Sequence, residues 1–267
     1  ETIKIEAVKA ALTFEKVARD WLDKQSQVWV ESHLYDTTRK LEKNVFEDIG
    51  NRPIDAITPP EALACLRKIE ERGCGETAKR VKIIMSQVFR FAAACGWRND
   101  DPTWLLKGAL APVKAGTFPA IIDPTELSGL LRSVDYYTGT TVIKCAIIFG
   151  AMVVLRPGEM RHGTWDEIDF EAKQWNIPGP RMKMKLPHIV PLSRQALAIL
   201  RELQPITGSS KYIFTNGWST CKPLSENGVR AALINLGYQD RHCAHGWRAT
   251  FRTIGDEVLK FRVDLIE

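Results

Sequence analysis

From Thr13 onward, apolar residues return every three or four positions. Phe14, Val17, Ala18, Trp21 and Leu22 fall on one face of a predicted helix, with polar residues between them. Asp36 is placed to cap a second helix that carries Leu41 and Val45. The third start is the sharpest: Thr58 as N-cap, Pro59 at the first helical position, Glu61 completing a capping box, and Gly73 beyond the end. A fourth helix, Glu76 to Cys95, lines up Ala78, Val81, Met85, Val88 and Ala92 and stops at Gly96. Four amphipathic helices with short connections predict a small helical bundle.

The periodicity lapses between Pro102 and Pro124, where Gly108, Pro112, Gly116 and Pro119 interrupt any repeat, so a flexible linker is expected there. The boundary falls near Val113, dividing the chain into 1–113 and 114–267. The second part restarts at Asp123-Pro124-Thr125-Glu126, another N-terminal signature, leading into Leu127, Leu130, Leu131 and Val134. A buried helix through Ile147 follows and ends at Arg156-Pro157. Strand-like stretches at Trp165–Phe170, Gln174–Ile177 and His188–Leu192 predict a three-stranded antiparallel sheet. Ser193 can cap a helix to Leu203, and Ser225 another that Gly237 ends. The fold class is therefore mainly α (α+β): a helical bundle, then a mostly helical domain with a small sheet.

Composition narrows the function classes. The 267 residues, 45% apolar and 26% charged, suit two ordinary globular cores of roughly 100 to 200 residues each. A net charge of +5 permits a polyanion partner without requiring one. The six cysteines show no CxxC spacing, which argues against a disulfide framework or a zinc knuckle and fits a reducing compartment. The longest apolar run, Cys145 to Leu155, falls well short of the ~20 residues of a membrane span. The start, Glu1-Thr2-Ile3-Lys4, has no initiator methionine, so a fragment or processed product is expected.

Four basic residues carry the candidate chemistry. Arg156 stands at the end of the buried helix: it either caps helix carbonyls or pairs with Glu159, or it offers a planar fork to two phosphate oxygens with Glu159 steadying it. His245 and Arg248, three apart, would share a helical face, as a surface pair or as joint ligands of one group. A metal reading of His242, Cys243 and His245 lacks a second ligand pair. Lys183, in Arg181-Met182-Lys183-Met184-Lys185, belongs to a hairpin, either as a solvated edge lysine or as a mobile general acid. Lys79, Arg80 and Lys82 crowd the first turn of the fourth helix against its dipole, which a phosphate between them would relieve; a solvated basic face is the alternative. Arg90 lies farther along the same helix.

In order and spacing, these residues resemble one family. RxxE after a buried helix (Arg156, Glu159), a lysine before an I-V-P-L strand (Lys183), and HxxR later (His245, Arg248) resemble the tyrosine recombinases, the phage-integrase family. The WDEIDF and RMKMKLPHIVPLSRQAL segments look most like integrases of prophages and genomic islands. The resemblance covers nearly the whole chain and implies that 1–113 is a core DNA-binding domain and 114–267 a catalytic domain truncated before the nucleophile. It further implies that Arg156 and Arg248 hold the scissile phosphate, Lys183 protonates the leaving 5′-oxygen, His245 assists, and Glu159 supports Arg156.

The family's nucleophile is a tyrosine after the HxxR segment, and the five tyrosines, Tyr35, Tyr136, Tyr137, Tyr212 and Tyr238, all precede it. The chain is thus expected to bind double-stranded DNA without forming a phosphotyrosine. Lys79, Arg80, Lys82, Arg90 and Lys185 are the candidate DNA contacts. No metal or nucleotide cofactor is implied. The family further implies a tetramer on DNA for a full-length protein, a monomer for this fragment, and a cytoplasmic, nucleoid-associated location in a bacterial cell. A non-catalytic DNA-binding remnant and a type IB topoisomerase-like enzyme are the rival readings.

Overall fold

The computed structural model describes residues 12–113, 116–217 and 219–266 and divides into two compact units, 1–115 and 116–267. The opening Glu1-Thr2-Ile3-Lys4 and the expected start of the second domain at Lys114 lie outside the described residues.

In the first unit, α1 (Phe14–Ser26) starts where Thr13 Oγ1 accepts a hydrogen bond from the Lys16 amide at 3.3 Å. The second helix, α2 (Glu31–Asn44), begins five residues before the expected cap. Asp36 is therefore inside it, because Val30 already adopts the extended N-cap backbone and the helix needs no side-chain cap. The Thr58 and Glu61 capping box opens α3 (Pro59–Glu71), and α4 (Gly75–Ala94) follows. Gly73 and Gly96 take positive φ after α3 and α4, where a β-carbon would be strained. Phe14, Trp21, Leu41, Leu66, Val81 and Phe89 are among the side chains of one buried core. Arg98 is buried beside it, with its guanidinium 4.7 Å from the Phe89 ring centroid.

The stretch expected to be a flexible linker contributes one buried side chain to each core. Leu106, in a 3-10 turn (Trp104–Leu106), is buried in the first core, and Ile121 in the second. The reason is that isolated apolar side chains pin this segment without making any periodic pattern.

In the second unit Asp123 Oδ1 accepts from the Glu126 amide at 2.8 Å and starts α5 (Pro124–Asp135). Then come the largely buried α6 (Thr141–Val153) and the short α7 (Pro157–Arg161). Strands β1 (Ile168–Asp169), β2 (Gln174–Ile177) and β3 (His188–Pro191) form an antiparallel sheet in that order. Trp175 pairs with Val190 across β2 and β3, and both face the core. Ser193 caps α8 (Arg194–Thr207). A second hairpin, β4 (Thr215–Asn216) with β5 (Ser219–Pro223), was not expected, since its polar residues show no alternation. The helix assigned to a Ser225 cap is α9 (Gly228–Asn235), which starts later: Ser225 Oγ accepts from Asn227 in a turn instead. The last long element is α10 (Gly246–Thr253), followed by a π-helical turn and α11 (Val263–Ile266). No helix among the described residues is long and apolar enough to cross a membrane.

Candidate active site

One open cleft of about 890 Å³ in the second unit gathers most of the predicted site: Arg156, Glu159, His245 and Arg248 all line it. Each arrives by a local device. Val154 ends α6 in the left-handed region, φ 54°, and turns the chain so that Arg156 becomes the N-cap of α7 with Pro157 at its first position. Glu159, two residues on from Pro157, is buried, and its carboxylate accepts from Arg156 twice, from Nη1 at 2.9 Å and from the backbone amide at 3.2 Å. The Arg156 side chain is only partly covered, at 39% exposure, and lines the cleft. Arg156 thus pairs with Glu159, and its part-exposed side chain keeps hydrogen-bonding capacity beyond that pair.

Arg248 reaches across from the first turn of α10 and donates from Nη1 to the Val154 carbonyl at 2.9 Å. Both arginines are thus held near the end of α6, Arg248 by the Val154 carbonyl and Arg156 two residues farther along the chain. His245 precedes α10 as its N-cap residue with helical backbone, three before Arg248, and the two side chains line the same cleft; the turn closed by Gly246 N donating to Cys243 O ends just there. Burial first, then the charges of Arg248 and Arg156, hold the His245 imidazole below its ordinary pKa. Both guanidinium charges thus favour the neutral ring, which is able to accept or donate a proton.

Lys183 stays outside the cleft. The β2–β3 connection runs through a 3-10 turn (Gly179–Arg181) and a turn closed by Lys185 N donating to Met182 O at 3.0 Å, with Lys183 at its second position and exposed. Met182, one residue away, does line the cleft. Lys185 is exposed with φ 58°. Gly179 is required here, since a β-carbon would lie 2.6 Å from the Lys185 carbonyl oxygen.

The base of this loop is anchored by residues that sequence reasoning passed over. Arg181 pairs with the buried Glu167 and donates from Nη2 to the Glu159 carbonyl at 2.6 Å. Glu167 also accepts from Trp175 Nε1 at 2.9 Å and from the Thr164 amide at 3.3 Å. The Thr164-to-Glu167 spacing was a readable capping signal; the partner across the sheet was not. His188, Arg252 and Phe118 also line the cleft without having been singled out.

On α4 the basic residues separate. Lys79, Lys82 and Arg90 fall on one stripe, while Arg80, about 100° round from Lys79, pairs with Glu76 at 3.1 Å. Lys82 donates to the Leu106 carbonyl at 2.9 Å, and Arg90 to the Ser86 carbonyl at 3.4 Å. A single phosphate among Lys79, Arg80 and Lys82 is therefore not supported by their placement. The depression holding Lys82 and Arg90 also contains Asp100 and Asp101, so it is of mixed charge. Among the described residues no group of three or more His, Cys, Asp or Glu is placed to hold a metal ion.

The model of the phage integrase central domain matches residues 14–109, and that of the phage integrase family matches residues 121–254. This chain belongs to the phage integrase family. The integrase of Enterobacteria phage P4 is 32% identical over 271 residues, covering 96% of this chain and 61% of the relative. Prophage integrase IntZ of Escherichia coli K12 is 33% identical over 263 residues, covering 98% and 64%. The chain thus spans under two thirds of the length of these curated integrase relatives. In fold, this integrase-family chain is similar to lambda integrase (75–356), solved as a dimer bound to a COC′ core site: TM-score 0.73, 16% identity, 96% of this chain and 93% of that one. The Tn1549 transposon integrase (82–397), solved with circular intermediate DNA, gives a TM-score of 0.69 at 14% identity, covering 96% and 90%.

Proposed function

We propose that this chain is the DNA-holding part of a site-specific tyrosine recombinase, and that its cleft receives the scissile phosphate of a duplex. The observation that carries this reading is the convergence of Arg156, His245 and Arg248 on one cleft, with Glu159 buried beneath Arg156. Two braced guanidiniums offset charge building on the non-bridging oxygens, and they do so without reorganising when the reaction begins. His245, neutral and close to both, assists phosphate binding and proton transfer. Lys183, on an exposed turn beside the cleft wall, swings in to protonate the leaving 5′-oxygen once DNA is seated.

The residues from Ala249 to Glu267 contain no tyrosine, and none of the five tyrosines is among the residues lining the cleft. The 267-residue chain accordingly binds DNA without covalent capture. It is monomeric alone, and tetrameric assembly on two DNA sites belongs to a full-length protein acting on the bacterial chromosome in the cytoplasm. No cofactor takes part. Residues 1–113 form the core-binding domain, with Lys79, Lys82 and Arg90 toward phosphates.

A nicked suicide duplex tests the reading. Salt-sensitive binding with no denaturant-resistant adduct is expected; a covalent adduct would overturn the non-cleaving assignment, and absence of binding would overturn the whole. A remnant that only binds DNA differs in one respect: supplying a tyrosine-bearing C-terminal segment would leave it inactive.

A further inference from the structure

The chain enters the second unit through a segment whose contacts fall on the residues around His245. Cys243 donates its amide to the Pro119 carbonyl at 3.1 Å, Ile121 donates its amide to His242 Nδ1 at 3.1 Å, and Thr250 Oγ1 donates to the Ile121 carbonyl at 2.6 Å. Gly246 makes the close approach possible, because a β-carbon there would lie 2.5 Å from the Pro119 oxygen. These contacts place Phe118 over His245, with ring centroids 4.4 Å apart and planes tilted by 41°. Phe118 keeps 65% of its surface exposed, so burial of its own apolar area does not explain its position.

We propose that Phe118 is a positioning residue for the phosphate site: it packs on the His245 ring, fixes its orientation, and shields it from water on one face. The strap 118–121 is then a working part of the cleft, and a stacked ring has fewer orientations from which to meet a phosphate oxygen. The inference rests on the phosphate reading of the cleft. The charged or titratable groups sharing that cleft with His245 are Arg248 of its own helix, Arg156 and Glu159 at α7, His188 of β3, and Arg252.

The test uses the 267-residue chain with ¹³C-labelled histidine, as wild type, Phe118→Ala and Phe118→Tyr. Removing the ring uncovers the imidazole, so the His245 titration midpoint should rise toward its ordinary value. Affinity for a short duplex should fall roughly three- to tenfold with its salt slope unchanged, because Phe118 neutralises no phosphate. Phe118→Tyr keeps the ring and should restore both. An Ala variant whose His245 midpoint or DNA affinity matches wild type overturns the proposal. A wild-type His245 signal indifferent to saturating duplex instead overturns the phosphate reading itself, a result visible without either variant.

Discussion

Replacing His242 with glutamine should remove a specific portion of the protein's acid sensitivity. His242 is buried, its Nδ1 accepts from the Ile121 amide, its ring packs 4.1 Å from that of Trp247, and Nε2 is buried without a hydrogen-bond partner among the described residues. Desolvation pushes its pKa from 6.5 down to about 4. Between those values the unfolded chain takes up a proton that the folded chain refuses. Stability from this group is therefore complete above pH 6.5 and is lost as pH falls toward 4. Linkage over that interval gives a loss of about 2 kcal/mol between pH 7 and pH 5. Native-state hydrogen exchange of the α10 amides in low urea, at both pH values, reads the effect in the unit that contains it. Glutamine does not titrate, so the variant should be less stable at pH 7 yet lose about 2 kcal/mol less on acidification. Identical pH dependence in the two proteins would refute the reasoning.

Further outcomes follow from individual contacts. Arg98→Met leaves the Ile54 carbonyl, which now accepts from Nη1 at 2.6 Å, without that donor and should destabilise the first unit by about 1 to 3 kcal/mol in urea unfolding. Gly179→Ala drives a β-carbon against the Lys185 carbonyl and should displace the Lys183 turn, read as faster tryptic cleavage after Lys183 and Lys185 in an otherwise folded protein. Lys79→Ala and Arg90→Ala should each lower the salt slope of DNA binding by about one. Arg80→Ala, whose side chain is engaged by Glu76, should change it less.

Much of the fold was legible because caps and periodicity are local. The Thr58 and Glu61 box and the Asp123-Pro124 start each name a helix terminus within four residues, and both stand where expected. The second helix shows the limit: an extended Val30 starts it with no side-chain signal, so the eye falls on Asp36 instead. The site was legible as a set of residues, but less so as an arrangement. Spacing put His245 and Arg248 side by side, and both line the cleft, but it did not show that His245 precedes the helix as its N-cap behind a turn closed at Gly246. Phe118 and Arg181 owe their places to contacts made across long sequence separations, with His245 and with Glu167, and no periodicity encodes those.

The central claim is that Arg156 and Arg248 address the same phosphate. The direct test is the salt dependence of duplex binding by wild type, Arg156→Ala, Arg248→Ala and the double variant. Each neutralised phosphate contributes a slope of about 0.9 in log K against log salt, so one shared phosphate predicts that the double variant loses no more than that in total. A slope equal to wild type, or a double variant that loses about twice as much, would contradict the account.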